Sequence, residues 1–231
     1  MSALATFRSH ADSVRRLMNF DRDLIGFALK MVGDLDERLK AAGFENPHLN
    51  AESAVRALRQ VRDNDSLRPR YQTIFNQSLV LLVSYFASAL HELFSDSVRS
   101  VGLATDSSEL FNEEVKISIR ELRDAGADFA AVVPEILIKT KDISFQDMQS
   151  IARAFKTYAN VTVPRDARVN DIILAQAARH VIVHNGGIID PKFIRQVASA
   201  TPRHVMQSVD PGVAIQFAPE WCAPGKLIHL L

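Results

Sequence analysis

A single cysteine, Cys222, denies the chain any internal disulfide, and such sparing use of thiols fits a reducing cytoplasm. No charge of one sign prevails either: 27 Lys and Arg stand against 27 Asp and Glu, a formal net charge of zero. That balance argues against a strongly cationic binder of duplex DNA, which must neutralise many phosphates at once, but leaves room for a local phosphate site. Long hydrophobic runs are missing too. The longest, LVLLVSYFASAL at 79–90, falls short of the ~20 residues that span a bilayer and reads as a buried helix. At the start, MSALATFRSHADSVRRLM is broken by charges before an apolar signal core can form. A cytoplasmic protein without a membrane-embedded part is the expectation.

What is present has a globular balance, with 47% hydrophobic and 23% charged residues among 231. Apolar residues recur at helical spacing over 4–42, and Gly43 and Pro47 close that stretch. A short helix is expected over 50–63 and a long apolar one over 71–100. Asp106 with Glu109 predicts a capped start for LFNEEVKISIRELRDAG. Ser144 with Asp147 predicts another for SFQDMQSIARAFKTYA. AAVVPEILIKT at 130–140 stays unassigned, because its β-branched residues and Pro134 weaken a helix. A helix over about 166–185 follows, then a short one in DPKFIRQVASA, while GVAIQF and KLIHLL look like brief strands. The fold expected is mainly all-α, a helical bundle with a small irregular or β C-terminal extension. Its parts are an N-terminal helical segment at 1–65 packing on the core, a helical domain at 66–200, and the extension at 201–231, together one compact unit.

The stretch AARHVIVHNGGI at 177–188 sets Arg179, His180 and His184 in an apolar run ended by Asn185, Gly186 and Gly187. Unpartnered, such groups cost several kcal/mol to bury. On a helical wheel Leu174, Ala178, Val181 and Ile182 form a core side, His180 and His184 lie together beside Ile173 and Ala177, and Arg179 lies apart with Ile172 and Val183. Almost no side suits open solvent, so cover by the domain or by a second subunit is expected. Three readings fit. The polar groups can be satisfied structural residues, with Arg179 half of an ion pair. HVIVH can be a two-histidine metal face, although no third ligand is evident. Or Arg179 can grip a phosphate while His184, in the last turn, moves protons.

RHVIVHN resembles the R-x4-6-H motif of the HEPN superfamily, whose catalytically active members are metal-independent ribonucleases. The resemblance extends to the polar His180 after the arginine, to Asn185-Gly186 after the histidine, to the apolar helix YFASALHELF with its acidic Glu92, and to SFQDMQSIARAF before the motif helix. It covers about residues 70–200. It implies RNA cleavage by 2′-hydroxyl attack, with Arg179 stabilising charge and His184 transferring protons. His180, Asn185 and Glu92 would support them or touch RNA: His180 by holding phosphate or orienting His184, Glu92 by pairing with Arg179 or a motif histidine. Asn185 can instead simply cap the helix. Neither a metal nor another cofactor is implied. Because Arg179 and His184 diverge on an ideal helix, the resemblance also implies a homodimer through the motif helix, with a composite cleft. A toxin or antiphage role with a cognate antitoxin or defence-system partner would follow. Two rival classes are a non-catalytic HEPN-like module binding RNA, nucleotide or protein, and a helical structural protein.

Basic residues Arg179, Lys192, Arg195 and Arg203 against Asp190, and Arg56, Arg59, Arg62, Arg68 and Arg70, suit either an RNA backbone or a solvated face. His10, His48, His91, His204 and His229 form no arrangement with a catalytic look, and Trp221 and Cys222 read as packing residues.

Overall fold

The computed structural model describes residues 2–44, 51–63, 72–103, 109–120, 123, 126, 129–204 and 210–215. Among them are seven α-helices: α1 (Ala3–Ala41), α2 (Ala51–Asp63), α3 (Gln72–Ser97), α4 (Phe129–Thr140), α5 (Met148–Ala159), α6 (Ala167–His184) and α7 (Pro191–Ala198). No strand occurs among the described residues, and the fold is mainly all-α.

Helix α3 is the axis. Its first half, through Phe75, Leu79, Leu82 and Val83, packs with Ala11, Val14 and Met18 of α1, Leu174, Ala178 and Val181 of α6, and Phe193 and Val197 of α7. Its second half enters another core through Phe94, joined by Val133 and Leu137 of α4 and Ile151, Phe155 and Tyr158 of α5. Phe94 is fully buried, its ring 5.4 Å from Phe155 and 5.7 Å from Phe145. The apolar stretch at 79–90 thus belongs to a longer helix. Residues 72–100 are long and apolar enough to cross a membrane by length and composition, a test that the core helix of a bundle also passes. A single π-helical turn, Val98–Gly102, ends it.

Aspartates set the later helix starts. Asp147, Asp166 and Asp190 each accept a hydrogen bond from the backbone N–H three residues on, at 2.9, 2.9 and 2.7 Å. The start expected at Ser144 therefore falls at Asp147, while the Ser144 hydroxyl receives the Gln146 N–H. AAVVPEILIKT is helical after all, because burial of Val133 and Leu137 outweighs the weak propensity of β-branched residues and Pro134.

The helix expected after Asp106 does not form over its first part: Asp106 lies outside the described residues, and Glu109–Asn112 make only a 3₁₀ turn, although residues 119, 120 and 123 of the same stretch are helical. Residues 113–118 follow without helix, alternating half-buried and exposed, the two-residue period of an extended chain. The Glu113 carboxylate bonds Lys141 and accepts from the Tyr158 hydroxyl at 2.9 Å, which ties this segment to α5. Of the two expected strands, GVAIQF supplies one isolated bridge, Ile188 with Ala214, and KLIHLL lies outside the described residues, as do Trp221 and Cys222.

Candidate functional site

The motif helix α6 is half hidden by its own chain. Nine of its eighteen residues are buried, three of them polar: Asn170, Asp171 and Gln176. Each of the three is tied to backbone through at least one of its polar atoms. Asn170 Nδ2 donates to the Pro202 carbonyl at 2.8 Å, and the Asp171 carboxylate receives the His204 N–H at 3.0 Å and faces its Nδ1 at 2.8 Å. Gln176 Oε1 accepts the Met148 N–H at 3.0 Å. His204 thus has a defined task, anchoring the chain that follows α7. The cover expected from outside comes mostly from α3, α5 and α7.

At its end the helix is closed by a turn. Asn185 and Gly187 N–H both donate to the Val181 carbonyl, at 2.9 and 3.0 Å. Gly186 and Gly187 have φ of +59° and +81°, where a side chain would be strained. The Asn185 side chain donates to the Ile188 carbonyl. The capping alternative for Asn185 therefore describes its geometry, and the residue faces the turn.

Arg179 and His180 come together with Lys192, which the cap at Asp190 and Pro191 places on the first turn of α7. All three line one concavity of about 240 Å³, floored by Val83, Ile173 and Ala177 and edged by Gln146, Gln149 and Gln196. Arg179 Nη1 donates to Gln146 Oε1 at 3.1 Å, so the side chain turns toward the start of α5. His180 Nε2 lies 3.4 Å from Lys192 Nζ. Burial, followed by the Lys192 and His184 charges, holds the His180 imidazole below its ordinary range, outweighing the opposing pull of Asp190. A neutral His180 accepting from the ammonium is the consistent state.

His184 is exposed one turn on, its ring 4.8 Å from that of His180 at 48°. Two buried amide atoms among the lining residues lack a partner, Gln176 Nε2 and Gln196 Oε1.

Glu92 is not joined to these groups. It is exposed on α3 and lines a separate, shallow recess with His91 and Gln146; among the described residues no ion pair or hydrogen bond links it to Arg179, His180 or His184. Gln146, which bonds Arg179 instead, is the contributor that the sequence hid, since nothing marks it beyond its place before the cap Asp147. Arg203 donates to the Val197 carbonyl at 2.8 Å, a structural bond, and Arg62 pairs with Asp63; Arg68, Arg70, His48 and His229 lie outside the described residues. No group of three or more His, Cys, Asp or Glu converges among the described residues.

No family model, curated protein or solved structure matches the chain.

Proposed function

We propose that the protein is an endoribonuclease that works without a metal ion and cleaves RNA at the concavity between α5, α6 and α7. The observation that carries this reading is the meeting of Arg179, His180 and Lys192 in one cleft, with the His184 ring against His180. Two fixed cations suit the non-bridging oxygens of a phosphodiester, and the planar fork of Arg179 suits them best. Two adjacent imidazoles suit a reaction that needs one proton taken and one given.

In the step proposed, the RNA 2′-oxygen attacks the adjacent phosphorus as its proton passes to neutral His180. The phosphorus–5′-oxygen bond breaks, and His184 gives a proton to the departing oxygen. The products are a 2′,3′-cyclic phosphate and a free 5′-hydroxyl. Arg179 and Lys192 stabilise the charge on the pentacoordinate phosphorus. In this scheme RNA is the partner, the cleft lies within one chain, and a second copy adds to it only if it comes over the exposed end of α6. Growth arrest on expression would accompany a toxin or antiphage role.

The test is incubation with mixed RNA in excess EDTA, beside His184→Ala and Arg179→Ala variants matched for melting temperature and sedimentation. Wild-type fragments should carry cyclic phosphate ends, and each variant should lose at least ~100-fold in rate. RNA retained but uncut would favour the non-catalytic binding module, a reading supported by the hold of Gln146 on Arg179. Equal cleavage by the variants would end the assignment of both residues.

A further inference from the structure

Helix α1 is 39 residues long, about 58 Å at 1.5 Å per residue. Its first half is anchored in the core by Ala11, Val14 and Met18. On the opposite side Leu17, Phe20, Leu24, Phe27, Met31 and Leu35 follow one another at spacings of three and four residues. Each is between 45 and 64% exposed. At roughly 100 Å² each, the six side chains present about 600 Å² of nearly continuous apolar surface, the upper end of what a monomer usually shows. By contrast, Val183 is the only large apolar residue of α6 that is strongly exposed.

We infer that this stripe is a seam on which two copies of the chain pair antiparallel. The spacing is that of a coiled coil, with Leu17, Leu24 and Met31 at one apolar position of a seven-residue repeat and Phe20 and Phe27 at the other. Preceding each turn of the seam are Arg16, Asp23, Lys30 and Glu37, all exposed and alternating in sign along one edge. In an antiparallel pair like edges meet. A two-fold axis between Leu24 and Phe27 sets Leu24 on Phe27 and Phe20 on Met31 of the second copy. The same axis sets Arg16 opposite Glu37 and Asp23 opposite Lys30, and symmetry repeats each pair, so every edge charge meets its opposite.

The antiparallel axis sets Asp34 on Leu17 near each end of the seam; a parallel pair fits worse, because it stacks Asp34 on Asp34 at an apolar position and leaves Lys30 opposite Leu35. Two stripes bury about 1,200 Å² before the flanking stems are counted, which reaches the size of stable interfaces. The inference is independent of the ribonuclease reading, since mass rather than cleavage decides it.

Sedimentation velocity on the full chain at about 10 μM should give a dimer. Phe20→Glu with Phe27→Glu should give a monomer with unchanged helicity and melting behaviour of the monomer unit. The sharper test uses the edge. Arg16→Glu with Lys30→Glu makes it wholly acidic, and Asp23→Lys with Glu37→Lys makes it wholly basic. Each should weaken self-association at least tenfold, while an equimolar mixture of the two should recover a one-to-one dimer. A monomeric wild type, as when a distant part of this chain covers the stripe, would overturn the inference. So would a dimer indifferent to the Phe20 and Phe27 substitutions, or a mixture that stays monomeric.

Discussion

Helices α1 and α6 make opposite use of apolar residues. In α6 the polar groups Asn170, Asp171 and Gln176 lie inside and are tied to neighbouring backbone, and apolar surface is hidden on nearly every side. In α1 only Ala3, Ala11, Val14 and Met18 of 39 residues are buried, while seven large apolar side chains are exposed, six of them in the stripe from Leu17 to Leu35. The number of apolar residues in a helix therefore does not say whether it needs a partner. What decides is whether the rest of the chain has enough surface to reach every face. Among the described residues three helices surround α6, whereas α2 and α3 leave the stripe on α1 exposed.

The largest expected contrast sets a buried residue of one helix against an exposed residue of the other. Leu174→Ala in α6 removes a side chain that is 2% exposed and should cost about 2–5 kcal/mol in denaturant unfolding. Phe27→Ala in α1, 62% exposed, should change the stability of the monomer by less than about 0.5 kcal/mol, measured at a concentration low enough to dissociate any dimer. Similar losses at both positions would show that the outer face of α1 is covered within one chain.

A middle-sized effect is expected inside α6. Asp171→Asn keeps the shape but replaces a buried carboxylate that receives the His204 N–H, so a melt should show a loss of about 1–3 kcal/mol. No loss would place the anchoring of residues 201–204 elsewhere.

The smallest effect concerns pH. The Lys141 and Tyr158 hydrogen bonds hold Glu113 below the usual carboxylate range. A carboxylate with a depressed folded-state pKa adds stability that is present above its unfolded value, near 4.3, and lost as pH falls through the folded value. Glu113→Gln should flatten that acid limb of the stability curve. In the same cluster, burial and Glu113 push the Tyr158 hydroxyl up to about 12, so its contribution is present below about 10 and lost as pH rises through 12.

Much of this fold is legible in the sequence because its helices are punctuated locally. Asp147, marked in the sequence as the partner of Ser144, is itself the cap of α5, and the helices expected from about 166 and in DPKFIRQVASA start at Asp166 and Asp190. Residues 113–118 misled for a tertiary reason. Their charges look like those of a solvated helix, but Glu113 is drawn to Lys141 and Tyr158, 28 and 45 residues away. The site divides along the same line. Arg179, His180 and His184 stand together in one helix and are visible at once, whereas Gln146, Gln196 and the precise seat of Lys192 arise only where three helices converge. Glu92 shares the long helix expected of it, yet looks into another recess, since one exposed position on α3 cannot be aimed from sequence.

The turn after the motif helix has a consequence for motion. Ile189 N–H donates to the Val213 carbonyl, Gly212 N–H to that of Ile189, and Ile215 N–H to that of Gly187. These bonds tie the turn after α6 to residues 212–215. Their amides should exchange with deuterium at a common rate, as one cooperative unit rather than as a fraying end. Opening that unit would free the turn between α6 and α7, while Phe193 and Val197, buried in the core, keep α7 and with it Lys192 in place. The exchange rate at Ile189 thus reads how often that turn opens beside a seated α7.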